Sequence, residues 1–379
     1  MFDIRSRATA ALACAGFAFA APLTAAPPVA TMVADIAQVV PTSTPPEVVA
    51  NRQPRSLPAR LGGFTYFFGD DGIHGRELWR SDGTPGGTSM VRDLCPGRCG
   101  AAALYSYFAI ATAGSHLFFA ADDGVHGQEL WALDAGSEVP RLVADLVPGV
   151  SGSSPGSFQP VGERLFFLAR DPIEGSDLWV TDGTGPGTHR VADLTPGPDS
   201  FYYAASADLG GVLLFGAHWP VGGLWRSDGT AEGTYQISSV QPWQYSWLQG
   251  APFLAFGDRL VFSGQAQGAG EATLWISDGT SSGTVELAPL RWSWNFAACG
   301  DALYFNALDS AEPGSAPKLY RTQGTPESTV AVALPDGVRP PGMYGRQACA
   351  ASRLLFAGFD DAHGTELWVA SESGAELLV

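Results

Sequence analysis

The stretch "HGRELWRSDGTPGGT", His74 to Thr88, decides the fold because it keeps returning. Its echoes are "HGQELWALD", "GSDLWVTDGTGPGT", "VGGLWRSDGTAEGT", "EATLWISDGTSSGT", "APKLYRTQGTPEST" and "HGTELWVAS". One aromatic column runs through them: Trp79, Trp131, Trp179, Trp225, Trp275, Tyr320 and Trp368, spaced 52, 48, 46, 50, 45 and 48 residues apart. A period of this size belongs to an array of one supersecondary unit.

One unit parses into four strands. "SFQPV" (Ser157–Val161), "LFFLA" (Leu165–Ala169), "DLWVTD" (Asp177–Asp182) and "HRVADL" (His189–Leu194) are separated by turns rich in Gly, Asp and Pro. No segment carries a helical period long enough to compete. The second strands, "LFFAA", "LFFLA", "LVFSG" and "LLFAG", are apolar without alternation, as strands buried on both faces are. These features predict an all-β protein, a seven-bladed β-propeller of four-stranded antiparallel blades over residues 56–379. The repeated Trp is then a wedge between blades, and "SDGT" a tight turn with a residue at positive φ.

Composition narrows the setting. The chain has 379 residues, 45% of them hydrophobic, enough for a large core. Its net charge of −17 repels a phosphate backbone, so no nucleic-acid partner is expected. Arg5 and Arg7, the apolar run Ala8–Phe19 and "AFA" before Ala21 read as a signal peptide over residues 1–20. The expectation is export to the periplasm, cell surface or medium, with no transmembrane segment after cleavage; a lipoprotein at Cys14 is the alternative.

In the leader, residues 21–55, "MVADI" (Met32–Ile36) matches the fourth strands "MVRDL", "LVADL" and "RVADL". It is expected to return beside "AELLV" (Ala375–Val379) and close the ring; a flexible leader is the alternative. An exported chain with four cysteines suggests two disulfides, Cys95–Cys99 across "CPGRC" and Cys299–Cys349 between neighbouring first strands. Metal-thiolate binding is the runner-up.

The wording "ELWRSDGTPGGT" resembles the family of secreted bacterial proteins named for its ELWxxDGT repeat. The resemblance covers roughly residues 30–379, is specific around Trp79, Trp179, Trp225 and Trp275, and degrades at "LYRTQGT". It implies a propeller-like repeat domain and export, and it transfers no catalytic residue.

Features confined to a few units are the candidates for function. "GSSPG" (Gly152–Gly156) matches a nucleophile pattern but has no strand–turn–helix around it. His74, His126 and His363 lie in "DDGIHG", "DDGVHG" and "DDAHG". The carboxylates there, Asp70, Asp71, Asp122, Asp123, Asp360 and Asp361, are those that would hold Ca²⁺, although Asp-Gly turns require no ion. No cofactor is required by any motif. Aromatic residues cluster where each first strand begins: Tyr105, Tyr107, Tyr202, Tyr203, Trp243, Tyr245, Trp247, Trp292, Trp294 and Tyr344. Rings gathered on one propeller face would stack on a sugar or grip a protein. The resulting expectation is a secreted, non-enzymatic module that recognises glycan or protein through these loops. The alternatives are a structural or surface-assembly protein without a small ligand, and a metal-dependent propeller enzyme; packing between blades is the competing role for the rings.

Overall fold

The computed structural model describes residues 58–378 except 85, 97–109, 174, 198–201, 218–220, 243–252, 311–313, 315, 343–346 and 372–373. The expected signal peptide and leader, with "MVADI", lie outside the described residues. Every regular element described is a strand, and the strands form seven antiparallel sheets in chain order. Six sheets have four strands and the fifth has five. In sheet five the first strand is split: Gln241–Pro242 and Phe253–Phe256 both pair with Arg259–Gln265. The expectation of four-stranded antiparallel sheets holds, with the first strand of sheet five in two pieces.

Sheet three shows how the sequence builds the unit. Its strands are Gly156–Val161, Arg164–Asp171, Gly175–Thr181 and His189–Ala192. Phe167 stands opposite Trp179 in the register, and the two rings stack with centroids 6.5 Å apart. Phe215–Trp225 and Phe305–Tyr320 repeat the stack in sheets four and six. Phe167 and Trp179 face sheet two, whereas Phe166 and Leu178 face sheet four. Each second strand thereby supplies two cores at once, which is why its apolar run does not alternate.

The "SDGT" phrase resolves atom by atom. Asp182 Oδ1 accepts from Thr184 N at 2.8 Å and Thr184 Oγ1 at 2.7 Å, and Thr181 and Thr188 share a hydroxyl hydrogen bond of 2.7 Å. Gly183 sits at φ 93°. Gly187 lies against the Asp182 carboxylate, so that a Cβ there would come within 2.0 Å of Oδ1. Asp82, Asp228 and Asp278 hold the same turn.

The acidic residue of "ELW" acts elsewhere. Glu129 is fully buried; its Oε1 accepts from Val147 N and Ser153 N, both at 2.9 Å, and its Oε2 accepts from Ser153 Oγ. It therefore ties the third strand of sheet two to the loop entering sheet three. Burial pushes its carboxyl up from the ordinary value, and the hydrogen bonds oppose that rise. Glu77 accepts from Leu94 N in sheet one, and Asp177 pairs with Arg190 in sheet three.

Candidate functional site

Antiparallel order sorts the loops into two ends. Turns between second and third strands, and the links from one sheet to the next, share one end. First-to-second and third-to-fourth turns share the other.

At the first end lie the three Asp–His loops. Asp71 Oδ1 accepts from Ile73 N and His74 N at 2.9 Å, and His74 Nδ1 is 2.7 Å from Oδ2. Asp123 does the same for Val125, His126 and the His126 ring at 2.8 Å. In the shorter sheet-seven loop Asp360 takes that place, holding Ala362 N, His363 N and the His363 ring, while Asp361 lies 3.9 Å from Arg339. Asp70 and Asp122 cap Gly72 N and Gly124 N at 2.7 Å. Burial raises the Asp71 carboxyl, but the hydrogen bonds from His74 and Ile73 outweigh it and hold it at about 2. The same contest leaves Asp123 lowered. Hydrogen bonding to these carboxylates raises His74 and His126. Five of these six aspartates are thus engaged in holding their own loops, Asp361 faces Arg339 instead, and among the described residues no three metal-ligating side chains gather.

Between sheets four and five the same end opens into a groove of about 570 Å³. Gln236, Gln241, Gln265, Gln267 and Ser239 line it, with the backbone of Gly222–Gly223 and of residues 266–268. Among the described residues no charged side chain lines it. Gln241 is spent on structure, accepting from Gly223 N at 2.9 Å and donating to Ala217 O at 2.7 Å. Gln265 donates to Ala269 O at 2.7 Å, and Gln267 makes no hydrogen bond among the described residues. The groove was not legible in the sequence: its glutamines are scattered over three segments that only the folded sheets bring together.

The expected aromatic cluster divides. Tyr105, Tyr107, Trp243, Tyr245, Trp247 and Tyr344 lie outside the described residues. Tyr202 is exposed. Tyr203 is buried within its strand, donates to Ser157 O at 2.6 Å, and has its phenol pushed up by burial. Trp292 and Trp294 belong to a ten-residue strand, Leu290–Cys299, whose pairing shifts register twice, and not to a loop. Trp294 is buried, and Trp292 is half-buried at φ 53°. Tyr203 and Trp294 are therefore packing residues, and their expected role as exposed contacts is corrected.

Cys299 and Cys349 are bonded across sheets six and seven, with Cα atoms 5.1 Å apart. That bond sets aside the metal-thiolate alternative for this pair. Cys95 is also disulfide-bonded, and its expected partner Cys99 lies outside the described residues.

At the opposite end, Ser115 and His116 occupy the first turn of sheet two. His116 Nδ1 is 2.7 Å from Asp134 Oδ1, and Nε2 is 3.5 Å from Ser115 Oγ. Arg141 grips both Asp134 oxygens, at 2.8 and 3.1 Å. This is a serine–imidazole–carboxylate chain that neighbouring letters in the sequence do not reveal, since Asp134 arrives by cross-strand register.

No protein-family model matches the chain, and no curated protein matches it. Among solved structures it is similar to a puromycin-hydrolyzing peptidase of Mycobacterium tuberculosis, at 13% identity and a TM-score of 0.43, covering 87% of this chain and 53% of that one. It is similar to a prolyl endopeptidase at 14% identity and a TM-score of 0.46, covering 87% and 51%. An acylaminoacyl peptidase of Pyrococcus horikoshii follows at 13% identity and a TM-score of 0.41, covering 85% and 51%. The chain spans about half the length of these solved chains. All three are peptidases, a finding that runs against the expectation of a non-enzymatic module recognising glycan or protein through aromatic loops and against the expectation that the chain is no enzyme, and neither is carried further.

Proposed function

We propose that this chain serves peptide hydrolysis, as a seven-bladed propeller that holds an extended peptide substrate in the groove between sheets four and five. The chemistry of the groove carries the proposal. Each glutamine presents one acceptor and two donors, and a peptide backbone presents one donor and one acceptor per residue. An uncharged amide lining therefore suits backbone and discriminates little between side chains. The volume lies within the usual range for ligand sites. Export, and kinship with the ELWxxDGT-repeat family, belong to the same proposal.

The test is fluorescence anisotropy of a labelled, uncharged decapeptide with the exported chain, with the same samples followed by mass spectrometry for cleavage. Saturable binding that weakens at least tenfold in the Gln236→Leu/Gln267→Leu double variant is expected. No binding, or binding indifferent to that double variant, overturns the assignment.

The Ser115–His116–Asp134 chain, at the opposite end from the groove, favours a second reading, in which a peptide is bound and cleaved there and not in the groove. Ser115 would be the nucleophile, His116 the base and Asp134 its orienting partner; the 3.5 Å spacing is loose, as unliganded sites often are. Peptide cleavage abolished by Ser115→Ala, with binding intact, would support it. Cleavage unchanged in that variant would remove it.

A further inference from the structure

The sheets have a forward and a backward face, and six junctions use them in the same way. Apolar clusters join sheet one to two, two to three, three to four, four to five, five to six and six to seven. Among the described residues no cluster joins sheet seven to sheet one. Two faces are left over: Leu355, Ala357, Phe359 and Leu367 on sheet seven, and Phe67 with Trp79 on sheet one.

The exposure of these residues departs sharply from that of their equivalents. Leu367 is 46% exposed, whereas Leu78, Leu130, Leu178, Leu224, Leu274 and Leu319 are at 0%. Phe359 is 39% exposed. Phe67 is half-buried, whereas the phenylalanines at its place in the other six sheets are at most 1% exposed. The second strands of sheets one and seven alternate in burial, while those of sheets two and three are buried at five consecutive positions.

We propose that this seam is filled by the chain's own segment Met32–Ile36, "MVADI", lying against Leu355, Phe359 and Leu367. The described chain begins at Pro58 and passes at once into Ala59–Leu61, the first strand of sheet one, so the preceding residues are delivered beside the seam. Residues 37–57 can extend to roughly 70 Å, more than enough to reach either face. The phrase itself is suited to a two-sided gap. In "LVADL" of sheet two, Leu142 packs toward sheet one and Val143 toward sheet three. Met32 and Val33 hold the same places and offer one apolar side chain to each face. This inference rests on the packing order of the sheets and is independent of the peptide groove.

The experiment places the photo-crosslinker p-benzoylphenylalanine at position 367 in the full exported chain, irradiates it, and maps the adduct by mass spectrometry. An intramolecular adduct within residues 27–57 is expected. An adduct to sheet one, an adduct to a second copy, or a yield no higher than from the same label at the exposed position Ile173 overturns the proposal. Where the label at 367 prevents folding, position 359 replaces it. A second readout is melting: Val33→Asp should lower Tm by at least about 3 °C, whereas the same change at exposed Val125 should not. Equal melting of the two variants also overturns it.

Discussion

Phe167→Ala is the substitution that tests the packing logic most directly. The ring is fully buried, stacks on Trp179 and meets Phe158 edge-on at 6.2 Å. An aromatic side chain removes about 150–250 Å² from water, which at about 25 cal/mol per Å² gives roughly 4–6 kcal/mol as an upper bound. Measured losses for buried Phe→Ala fall at about 3–5 kcal/mol, because the surrounding structure collapses only in part. With an unfolding entropy of about 2.1 cal/mol/K per residue, a unit of this size should melt about 4–7 °C lower. The assay is differential scanning calorimetry beside urea unfolding, with exposed Val125→Ala as the control. Because Phe119, Phe215, Phe262, Phe305 and Phe356 are equally buried, their Ala variants should fall in the same range. A Phe167→Ala protein that melts within about 1 °C of the parent, or values scattered without relation to burial, would refute the shared-core argument.

Three further outcomes are expected. Gly187→Ala drives a methyl into the Asp182 carboxylate and should cost about 1–3 kcal/mol, read as a lowered urea midpoint; an unchanged midpoint would mean that the turn is not held as described. His74 should titrate above its ordinary value in proton NMR, and Asp71→Asn should bring it back toward 6.5. The stability it adds is complete below 6.5 and lost as pH rises through its raised pKa, whereas that of Asp71 is present above 3.8 and lost as pH falls toward about 2, so the pair clasps best between those limits. Replacing Cys299 and Cys349 by serine opens a link across 50 residues and should cost about 2–4 kcal/mol; an equal melting temperature for the double variant would count against a structural role.

How much of this was legible beforehand follows from the reach of each interaction. The strands of sheet three, the stacked Trp column and the Asp182–Thr184 turn depend on residues close in sequence or on one repeated register, and a repeat displays such local rules several times over. The Cys299–Cys349 bond was legible because strand position alone places both residues. What the repeat conceals is anything set by the third dimension across units. The groove glutamines come from two sheets, and Asp134 meets His116 only through the strand pairing. Trp294 looked like a surface contact because alternating aromatics carry no label for which face is covered; the two register shifts of Leu290–Cys299 decide that, and bulges leave little trace in sequence.

The same distinction explains why a repeated phrase is a poor guide to activity. Each position in "ELWxxDGT" is already committed to structure. Glu129 ties a loop, Leu130 packs forward, Trp131 packs backward, and in sheet three Asp182, Gly183 and Thr184 make the turn. A side chain so engaged has few atoms left for a ligand. Chemistry must therefore be sought where the phrase fails. Sheet four has Gly223 in place of the acid, sheet five has Thr273, and there the loop is held instead by Gln241. The groove opens at that departure from the repeat. The amide that replaces the carboxylate clasp carries no charge, and that is the physical reason the groove between sheets four and five, alone among the sites described, has an uncharged polar lining.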